Sequence, residues 1–182
     1  MGSTAVRLTI NDPDVPTLAL VAGLAVYETV SAHLSPPNWA MLKWPNDVMI
    51  GYAKLAGVLL EREGDTVIVG IGVNLASSPA VPERQAVSLA AFGKAPARDE
   101  FAAELAECFA RHLYRWHVYG SAPIIDAWTR AAHPIGTPLH IDDPREGAIK
   151  GTFAGLSVGG TLQLRLADGT FRAIHSGEIN LT

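Results

Sequence analysis

Four strand-like segments follow one another in the first half of the chain, and the connections between them are short. These segments cover residues 39–43, 47–50, 54–61 and 66–75. Gly51-Tyr52 and Glu63-Gly64-Asp65 lie between them and are typical of hairpin turns. Because such turns join neighbouring antiparallel strands, this region must build a sheet, and the flanking segments have to pack on it.

Helical patterns flank this sheet. Residues 15–34 are apolar on nearly every face, which predicts a helix that lies against a sheet. Residues 99–119 form an amphipathic pattern with Asp99 as a possible N-cap, and its core-facing positions are Phe101, Leu105, Cys108, Phe109 and Leu113. The remaining predictions here are a first strand at 4–10, a loop over 77–98 with a short helix at 87–92, and a short helix at 124–132.

The pattern changes after His133-Pro134-Ile135-Gly136. Short strands separated by glycine-containing turns follow, and they are predicted at 139–141, 149–156, 161–166, 171–174 and 178–181. Such a run of short strands is typical of a small barrel. We therefore predict an α/β (α+β) fold in two domains. Residues 1–135 form a mixed, mostly antiparallel sheet with packed helices, and residues 136–182 form a small β-barrel.

Composition and charge exclude several classes of protein. With 182 residues, of which 48% are hydrophobic, the chain can bury a substantial core and is not mainly disordered. Its formal net charge of -4 argues against a nucleic-acid footprint, so no DNA partner is expected. No uninterrupted apolar stretch approaches the roughly 20 residues of a spanning helix. We therefore expect a soluble cytoplasmic protein with no membrane partner.

The cysteine and the histidines carry no recognisable catalytic or metal pattern. Cys108 is the single cysteine, so it cannot form an internal disulfide, and it is predicted to be a buried, inert thiol. His112 and His117 are five residues apart and do not share the helical face that a metal pair needs. We interpret them as ordinary helix residues.

The segment Lys43-Trp44-Pro45-Asn46-Asp47 and the nearby Lys54 carry the most polar chemistry. Pro45 forces Trp44 out of helical geometry, which holds the tryptophan extended beside a polar turn. Asn46 offers a donor and an acceptor, and Asp47 offers a charge that can hold a cation. Charged groups flanked by apolar strands are costly to bury without partners. The alternative interpretation is a surface hairpin with a solvated Lys–Asp pair.

Glycines alternate with branched apolar residues in the strand over 66–75. Gly70, Gly72 and Asn74 share one face, which predicts a flat floor where a ligand can approach the backbone closely. The opposite face is predicted to point into a core; it carries Val69, Ile71, Val73 and Leu75. The alternative is that a helix packs on the glycines. A dinucleotide fingerprint is excluded, because the full glycine pattern and the following helix are missing.

In this order, the segments resemble the signature of biotin–protein ligases, which attach biotin to carboxylase subunits. The family's Lys-Trp-Pro-Asn-Asp turn, Lys-Leu-Ala-Gly strand and Gly-Ile-Gly-Val-Asn strand are similar to residues 43–47, 54–57 and 70–74. Ser176-Gly177-Glu178-Ile179 resembles the closing motif of the family's C-terminal domain. The resemblance implies that residues 1–135 are a biotin-ligase-like catalytic domain and that residues 136–182 are SH3-like.

The resemblance also implies a reaction and its residues. ATP and biotin would give biotinyl-adenylate, and biotin would then pass to a lysine on the biotin-carrier domain of a carboxylase. Lys54 is the implied catalytic residue, near the biotin carboxylate and the α-phosphate. The implied substrate-binding residues are Lys43, Trp44, Asn46, Asp47, Gly57, Gly70, Gly72 and Asn74.

Individual roles follow from the same resemblance. Gly57 would contact biotin through its main chain, since on a regular strand it faces away from Lys54. Asn46 and Asn74 are expected at the adenylate or phosphate end. Lys43 and Asp47 would order the turn or help to hold Mg²⁺, and Asp47 is the implied Mg²⁺ ligand.

The chain also departs from the family pattern. Family members carry an earlier Ser-Thr-Asn-like motif and a glycine- and arginine-rich loop, and neither precedes Thr4. We therefore expect an N-terminally incomplete catalytic domain whose activity is impaired in this chain alone. Two alternatives stay open: a non-catalytic protein that binds biotin or its adenylate, and a lipoate–protein ligase. Homodimer formation also stays open.

Overall fold

A computed structural model describes residues 1–35, 40–80, 85–143, 147–175 and 178–181. In its first part the elements are β1 (Gly2–Arg7), α1 (Thr17–Ala32), β2 (Ala40–Lys43), β3 (Asp47–Ile50), β4 (Ala53–Glu63), β5 (Thr66–Val73), α2 (Arg98–Tyr119) and α3 (Ala122–Ala131). A 3-10 turn at Leu89–Ala91 precedes α2. In the second part they are β6 (Pro138–Asp143), β7 (Gly147–Leu156), β8 (Leu162–Arg165), β9 (Phe171–Ile174) and β10 (Glu178–Leu181).

The first sheet has five strands in the order β1-β5-β4-β3-β2, and all of these neighbours pair antiparallel. The short turns make this arrangement necessary, since they leave no length for a crossover. Gly51 and Gly64 adopt the positive φ of 58° and 59° that their hairpins require. The antiparallel sheet predicted from residues 39–75 is therefore confirmed.

α1 is buried on nearly every side, as its composition predicts. Leu18, Val21, Ala25 and Val26 are fully buried, because the helix packs against the first sheet as well as against α2 and α3. A helix that is apolar all round fits such a position and few others. None of the described helices is long and apolar enough to cross a membrane.

The start of α2 differs from the prediction. Asp99 is not the N-cap; the N-cap is Ala97, which makes no side-chain capping bond. Asp99 lies inside the first turn and pairs with the exposed Arg98 at 2.8 Å. A carboxylate in the first turn still favours the helix through the macrodipole, so its sequence signal resembles that of a cap.

The first strand is shorter than predicted. β1 ends at Arg7, and Ile10 is fully exposed. The chain turns here because the Thr9 N–H donates to Asp12 Oδ2 at 2.6 Å. The local turn overrides the apolar alternation that predicted a strand through residue 10.

The second sheet also has five antiparallel strands, in the order β10-β6-β7-β8-β9. The predicted strands at 171–174 and 178–181 have the same bounds in the structure. Among the described residues, however, this sheet is open, so the closed SH3-like barrel stays a prediction. The motif residues Ser176 and Gly177 lie outside the described part of the chain.

Candidate functional site

Lys54 and Asp47 form an ion pair on the first sheet. Lys54 Nζ lies 2.5 Å from Asp47 Oδ1, and the two side chains are 41% and 16% exposed. Lys54 is placed by β4 and Asp47 by the first position of β3. The largely buried carboxylate does not fit the alternative of a fully solvated surface pair. It fits a site that holds an ammonium group at a defined position.

Gly57 lies directly beneath the head of Lys54, contrary to the prediction that it faces away. A Cβ at Gly57 would lie 3.0 Å from both Cε and Nζ of Lys54. The reason is an irregularity in β4, where Val48 pairs with Ala56 but Met49 pairs with Lys54. The extra residue, Leu55, shifts the alternation by one position. Lys54 and Gly57 therefore share a face.

The glycine floor is a real feature of the same face. Gly57 pairs with Gly72, and Leu59 pairs with Gly70, so all four positions point to one side of the sheet. The atoms nearest to a Cβ at Gly70 or Gly72 belong to Leu59 and Met1. None of the described helices packs on these glycines, so the helix-packing alternative is wrong. The floor continues the surface over which Lys54 extends.

Asn46 and Asn74 use their side-chain amides on main-chain groups. Asn46 Nδ2 donates to the Val58 carbonyl at 2.6 Å, and the Val58 N–H donates to the Asn46 carbonyl at 2.9 Å. Asn74 Nδ2 donates to the carbonyls of Lys54 and Val87 at 3.4 and 3.0 Å. Both asparagines were predicted to bind substrate. In the structure their amide donors hold together the backbone around Lys54.

A loop segment that the sequence did not single out also fixes Lys54. The Lys54 N–H donates to the Gln85 carbonyl at 2.9 Å, and the Val87 N–H donates to the Lys54 carbonyl at 3.0 Å. This parallel bridge, centred on Ala86, anchors the loop to the sheet beside the site. Residues 77–98 read as a loop in the sequence, and no local pattern could reveal this pairing. In the sequence, the polar residue Asn74 at the end of β5 was the feature that could have indicated a contact with this loop.

Lys43 and Trp44 face the junction with the second sheet. Trp44 is buried, and its indole N–H donates to the Gly160 carbonyl at 2.9 Å. Lys43 is half-buried and lies close enough to His133 to affect its titration. Burial first, and then the positive charge of Lys43, hold the pKa of His133 below its ordinary value. The assignment of Lys43 and Trp44 to substrate binding stays a prediction.

The opposite face of β5 is only partly in the core. Val69 is fully buried, as predicted, but Ile71, Val73 and Leu75 are half-buried. They line an apolar groove of about 570 Å³ between the sheet and α2. Because side chains alternate along a strand, this groove lies on the other side of the sheet from Lys54. It is not part of the candidate site.

Asp47 does not by itself make a resident Mg²⁺ site. Among the described residues, one group of three His, Cys, Asp or Glu side chains is close enough to share a metal ion, and Asp47 is not in it. Its carboxylate is already paired with the Lys54 ammonium. Mg²⁺ prefers six oxygen ligands and often takes most of them from phosphates and water. The donor set therefore fits a resident ion poorly.

Known proteins similar to this chain share its site region. The family model described as "Biotin/lipoate A/B protein ligase family" matches residues 5–75, which include every predicted site residue. The chain is 37% identical over 159 residues to the biotin–[acetyl-CoA-carboxylase] ligase of Paracoccus denitrificans, covering 81% of this chain and 66% of that relative. It is 34% identical over 139 residues to the ligase of the same description from Mycobacterium tuberculosis, covering 72% and 52%.

A solved structure agrees with the sequence relatives. The biotin protein ligase of Aquifex aeolicus in complex with biotin and ATP matches with a TM-score of 0.81 at 28% identity. The match covers 99% of this chain and 76% of that chain. The chain spans between 52% and 66% of the length of the two curated relatives.

Proposed function

This chain belongs to the biotin–protein ligase family, and from that premise we propose that its Lys54 site activates biotin with ATP and transfers it to a carrier protein. The acceptor would be a lysine on the biotin-carrier domain of a carboxylase. The observation that carries the proposal is the Lys54–Asp47 pair, which stands over Gly57 beside the glycine floor. A positioned cation above accessible backbone suits a ligand that carries both a carboxylate and a phosphate.

The first half-reaction needs this cation most. A carboxylate oxygen of biotin attacks the α-phosphorus of ATP, the bond from that phosphorus to the bridging oxygen breaks, and pyrophosphate leaves. Two anionic groups must approach each other, and negative charge develops on the phosphate oxygens. The Lys54 ammonium would reduce this repulsion and stabilise the transition state.

In the second half-reaction the Lys54 ammonium would act on the leaving group, AMP. The uncharged amine of the acceptor lysine attacks the acyl carbon of biotinyl-adenylate, and the carbon–oxygen bond to the phosphate breaks. An amide forms, the former amine loses a proton, and AMP leaves. Lys54 would stabilise the charge on the departing phosphate oxygen.

The surrounding residues support the proposal as positioning groups. Asp47 holds the ammonium, and Asn46 and Asn74 hold the strands and the loop that carry it. The paired glycines leave room for the ligand to reach the backbone. Mg²⁺ enters this proposal only as an ion that accompanies ATP, and no step here passes through a protein-bound metal.

The test is binding of biotinyl-5′-AMP, measured by calorimetry. Lys54→Ala is expected to weaken binding by about 10- to 150-fold, the value of a lost hydrogen bond to a charged group. Lys150→Ala is the matched control, because it removes an equal charge from an exposed position in β7. Circular dichroism confirms that both variants are folded. Equal affinity in the parent and in Lys54→Ala would remove the basis of the proposal.

The family description names lipoate as well as biotin, so a lipoate–protein ligase is the second candidate. Competition between biotinyl-5′-AMP and lipoyl-5′-AMP for the parent protein decides between them, and the biotin compound is expected to bind more tightly. Biotin-dependent exchange of pyrophosphate into ATP separates a ligase from a binding protein. Tight adenylate binding without any exchange would favour the non-catalytic alternative.

A further inference from the structure

Three side chains with metal-binding chemistry meet between α1 and α2, away from Lys54. Glu28 lies on α1, and Cys108 and His112 lie one helical turn apart on α2. Their ligand atoms all lie within 4.8 Å of one another. Residues four apart on a helix share a face, so α2 presents a thiol and an imidazole side by side to the carboxylate of α1. We call these three residues the α1–α2 cluster.

His112 is the unusual member of the cluster. Its side chain is 2% exposed, and neither ring nitrogen makes a hydrogen bond within the described part of the chain. Its Nε2 lies within ion-pair distance of Glu28 Oε1, at 3.0 Å, and its Nδ1 has no hydrogen-bond partner among the described residues. Leaving a buried polar group unsatisfied costs about 1 to 3 kcal/mol. Such a group calls for a partner, and a metal ion would provide one.

The three ligand atoms lie within 4.8 Å of one another, and the thiol and the imidazole each approach one oxygen of the Glu28 carboxylate. Cys108 Sγ lies 3.3 Å from Glu28 Oε2, and His112 Nε2 lies 3.0 Å from Glu28 Oε1. Around Zn²⁺, neighbouring sulfur, nitrogen and oxygen ligands are about 3.4 to 3.6 Å apart at ordinary bond lengths. Small side-chain movements would therefore admit the ion.

We propose that the α1–α2 cluster is a Zn²⁺ site, with Glu28, Cys108 and His112 as three ligands and water as the fourth. A mixed sulfur, nitrogen and oxygen set selects Zn²⁺ over Mg²⁺ or Ca²⁺, which take oxygen ligands. The open position faces solvent, because Glu28 is partly exposed at the edge of a surface depression of about 520 Å³. The ion would link α1 to α2, and the site is independent of the proposed ligase function.

Without a metal ion, the Cys108 thiol donates to the Glu28 carboxylate, and Arg111 contacts both side chains. Burial, together with the hydrogen bond to Glu28 and its charge, raises the pKa of the Cys108 thiol to about 11. Arg111 Nη2 lies 3.3 Å from Cys108 Sγ and 3.5 Å from Glu28 Oε2. The Arg111 side chain is 63% exposed and can turn into solvent. Zn²⁺ would therefore displace one proton from the thiol and the guanidinium from the carboxylate.

The test is titration of the chelator-stripped chain with Zn²⁺ in competition with a chromophoric chelator. The parent is expected to bind one ion per chain. Cys108→Ala and Glu28→Gln are each expected to weaken binding by at least about 100-fold, which is the upper effect of losing only a supporting partner of a ligand. His117→Gln is the matched control, because His117 is on the same helix but pairs with Asp12 instead.

Two further measurements separate a metal site from an ordinary buried ion pair. Arg111→Ala should strengthen Zn²⁺ binding, since it removes a competing cation. Co²⁺ should give a thiolate charge-transfer band with the parent and with Glu28→Gln at higher metal concentration, but never with Cys108→Ala. If Cys108→Ala does not fold, the Zn²⁺ affinity of Glu28→Gln and the cobalt thiolate band of the parent still test the proposal. Absence of one-to-one binding by the parent, or an affinity of Glu28→Gln equal to that of the parent, would overturn the proposal.

Discussion

The head of Lys54 occupies space that any side chain at position 57 would fill. A Cβ there would lie 3.0 Å from Lys54 Cε and Nζ and 3.3 Å from Asp47 Oδ1. The lysine end is flexible and can move away, but it would then leave the position set by the carboxylate. Gly57 therefore leaves the space that the Lys54–Asp47 ion pair occupies.

Gly57→Ala is expected to weaken biotinyl-5′-AMP binding by displacing Lys54. The expected loss is about 1 to 2 kcal/mol, a factor of about 5 to 30 in affinity. In the Lys54→Ala background, Gly57→Ala should have little effect on binding, because the lysine side chain that it would displace is absent. Calorimetry on the parent, the two single variants and the double variant gives a double-mutant cycle, which measures the coupling between positions 54 and 57. Additive losses would show that position 57 acts on the ligand directly.

The loop between β5 and α2 is an element that secondary-structure patterns do not describe. It contains the Leu89–Ala91 turn, and it is tied to the sheet by the backbone of Lys54 and by Asn74. The Asn74 carbonyl also accepts from the Leu89 N–H at 3.0 Å. One asparagine therefore holds the loop at Val87 and at Leu89. The position of the loop and that of Lys54 depend on each other.

Asn74→Ala should release this loop. Loss of its part-buried side-chain hydrogen bonds is expected to cost about 0.5 to 1.5 kcal/mol, and amide hydrogen exchange at Val87 should accelerate. Asn46→Ala is the comparison, because it breaks an equivalent bond to Val58 without touching the loop. Exchange at Val87 that is unchanged in Asn74→Ala would contradict the role given to this side chain.

The two sheets are joined by a polar contact between their buried parts. Trp44, at the end of β2, donates to the carbonyl of Gly160, which is 116 residues away in the turn before β8. Gly160 has a φ of 78°, and a Cβ there would lie 3.1 Å from Leu20 of α1. The turn of the second sheet thus packs against both the first sheet and α1.

Trp44→Phe removes this link while keeping an aromatic ring. It leaves the Gly160 carbonyl unpaired, so the free energy of unfolding in urea should fall by about 1 to 3 kcal/mol. Trp116→Phe is the control, since its indole on α2 donates to Thr17 of α1 at 2.7 Å, away from the second sheet. Both variants should lose stability, but only Trp44→Phe should accelerate hydrogen exchange in β8. Equal exchange in the two variants would argue against a specific link.

We expect His133 to make the stability of the protein depend on pH. Its pKa in the folded protein lies below the ordinary value of 6.5, first because of burial and then because of Lys43. As the pH falls through the unfolded value, the unfolded chain takes up the proton first, so stability present above that pH is lost below it. His133→Gln should show a smaller change in urea midpoint between about pH 7.5 and 5.5. An unchanged pH profile would exclude His133 as its source.

The sequence by itself determined the order and type of nearly all elements. Strand and helix periodicities arise from contacts within a few residues, so they can be read locally; the bounds of β3 and β9 agree with the prediction residue for residue. The membership of the candidate site could also be predicted from the sequence, because Lys54, Asp47 and the glycines of β5 lie on strands joined by short turns. Neighbouring strands bring such residues together whatever the rest of the chain does.

Only the tertiary structure decided which way these groups face and what they contact. The bulge at Leu55 depends on how β4 fits between β3 and β5, and it reverses the orientation of Gly57 relative to Lys54. The Gln85–Val87 loop, the Trp44–Gly160 bond and the Glu28–Cys108–His112 cluster each join segments that are distant in sequence. Their formation depends on the packing of whole elements, which no local periodicity records.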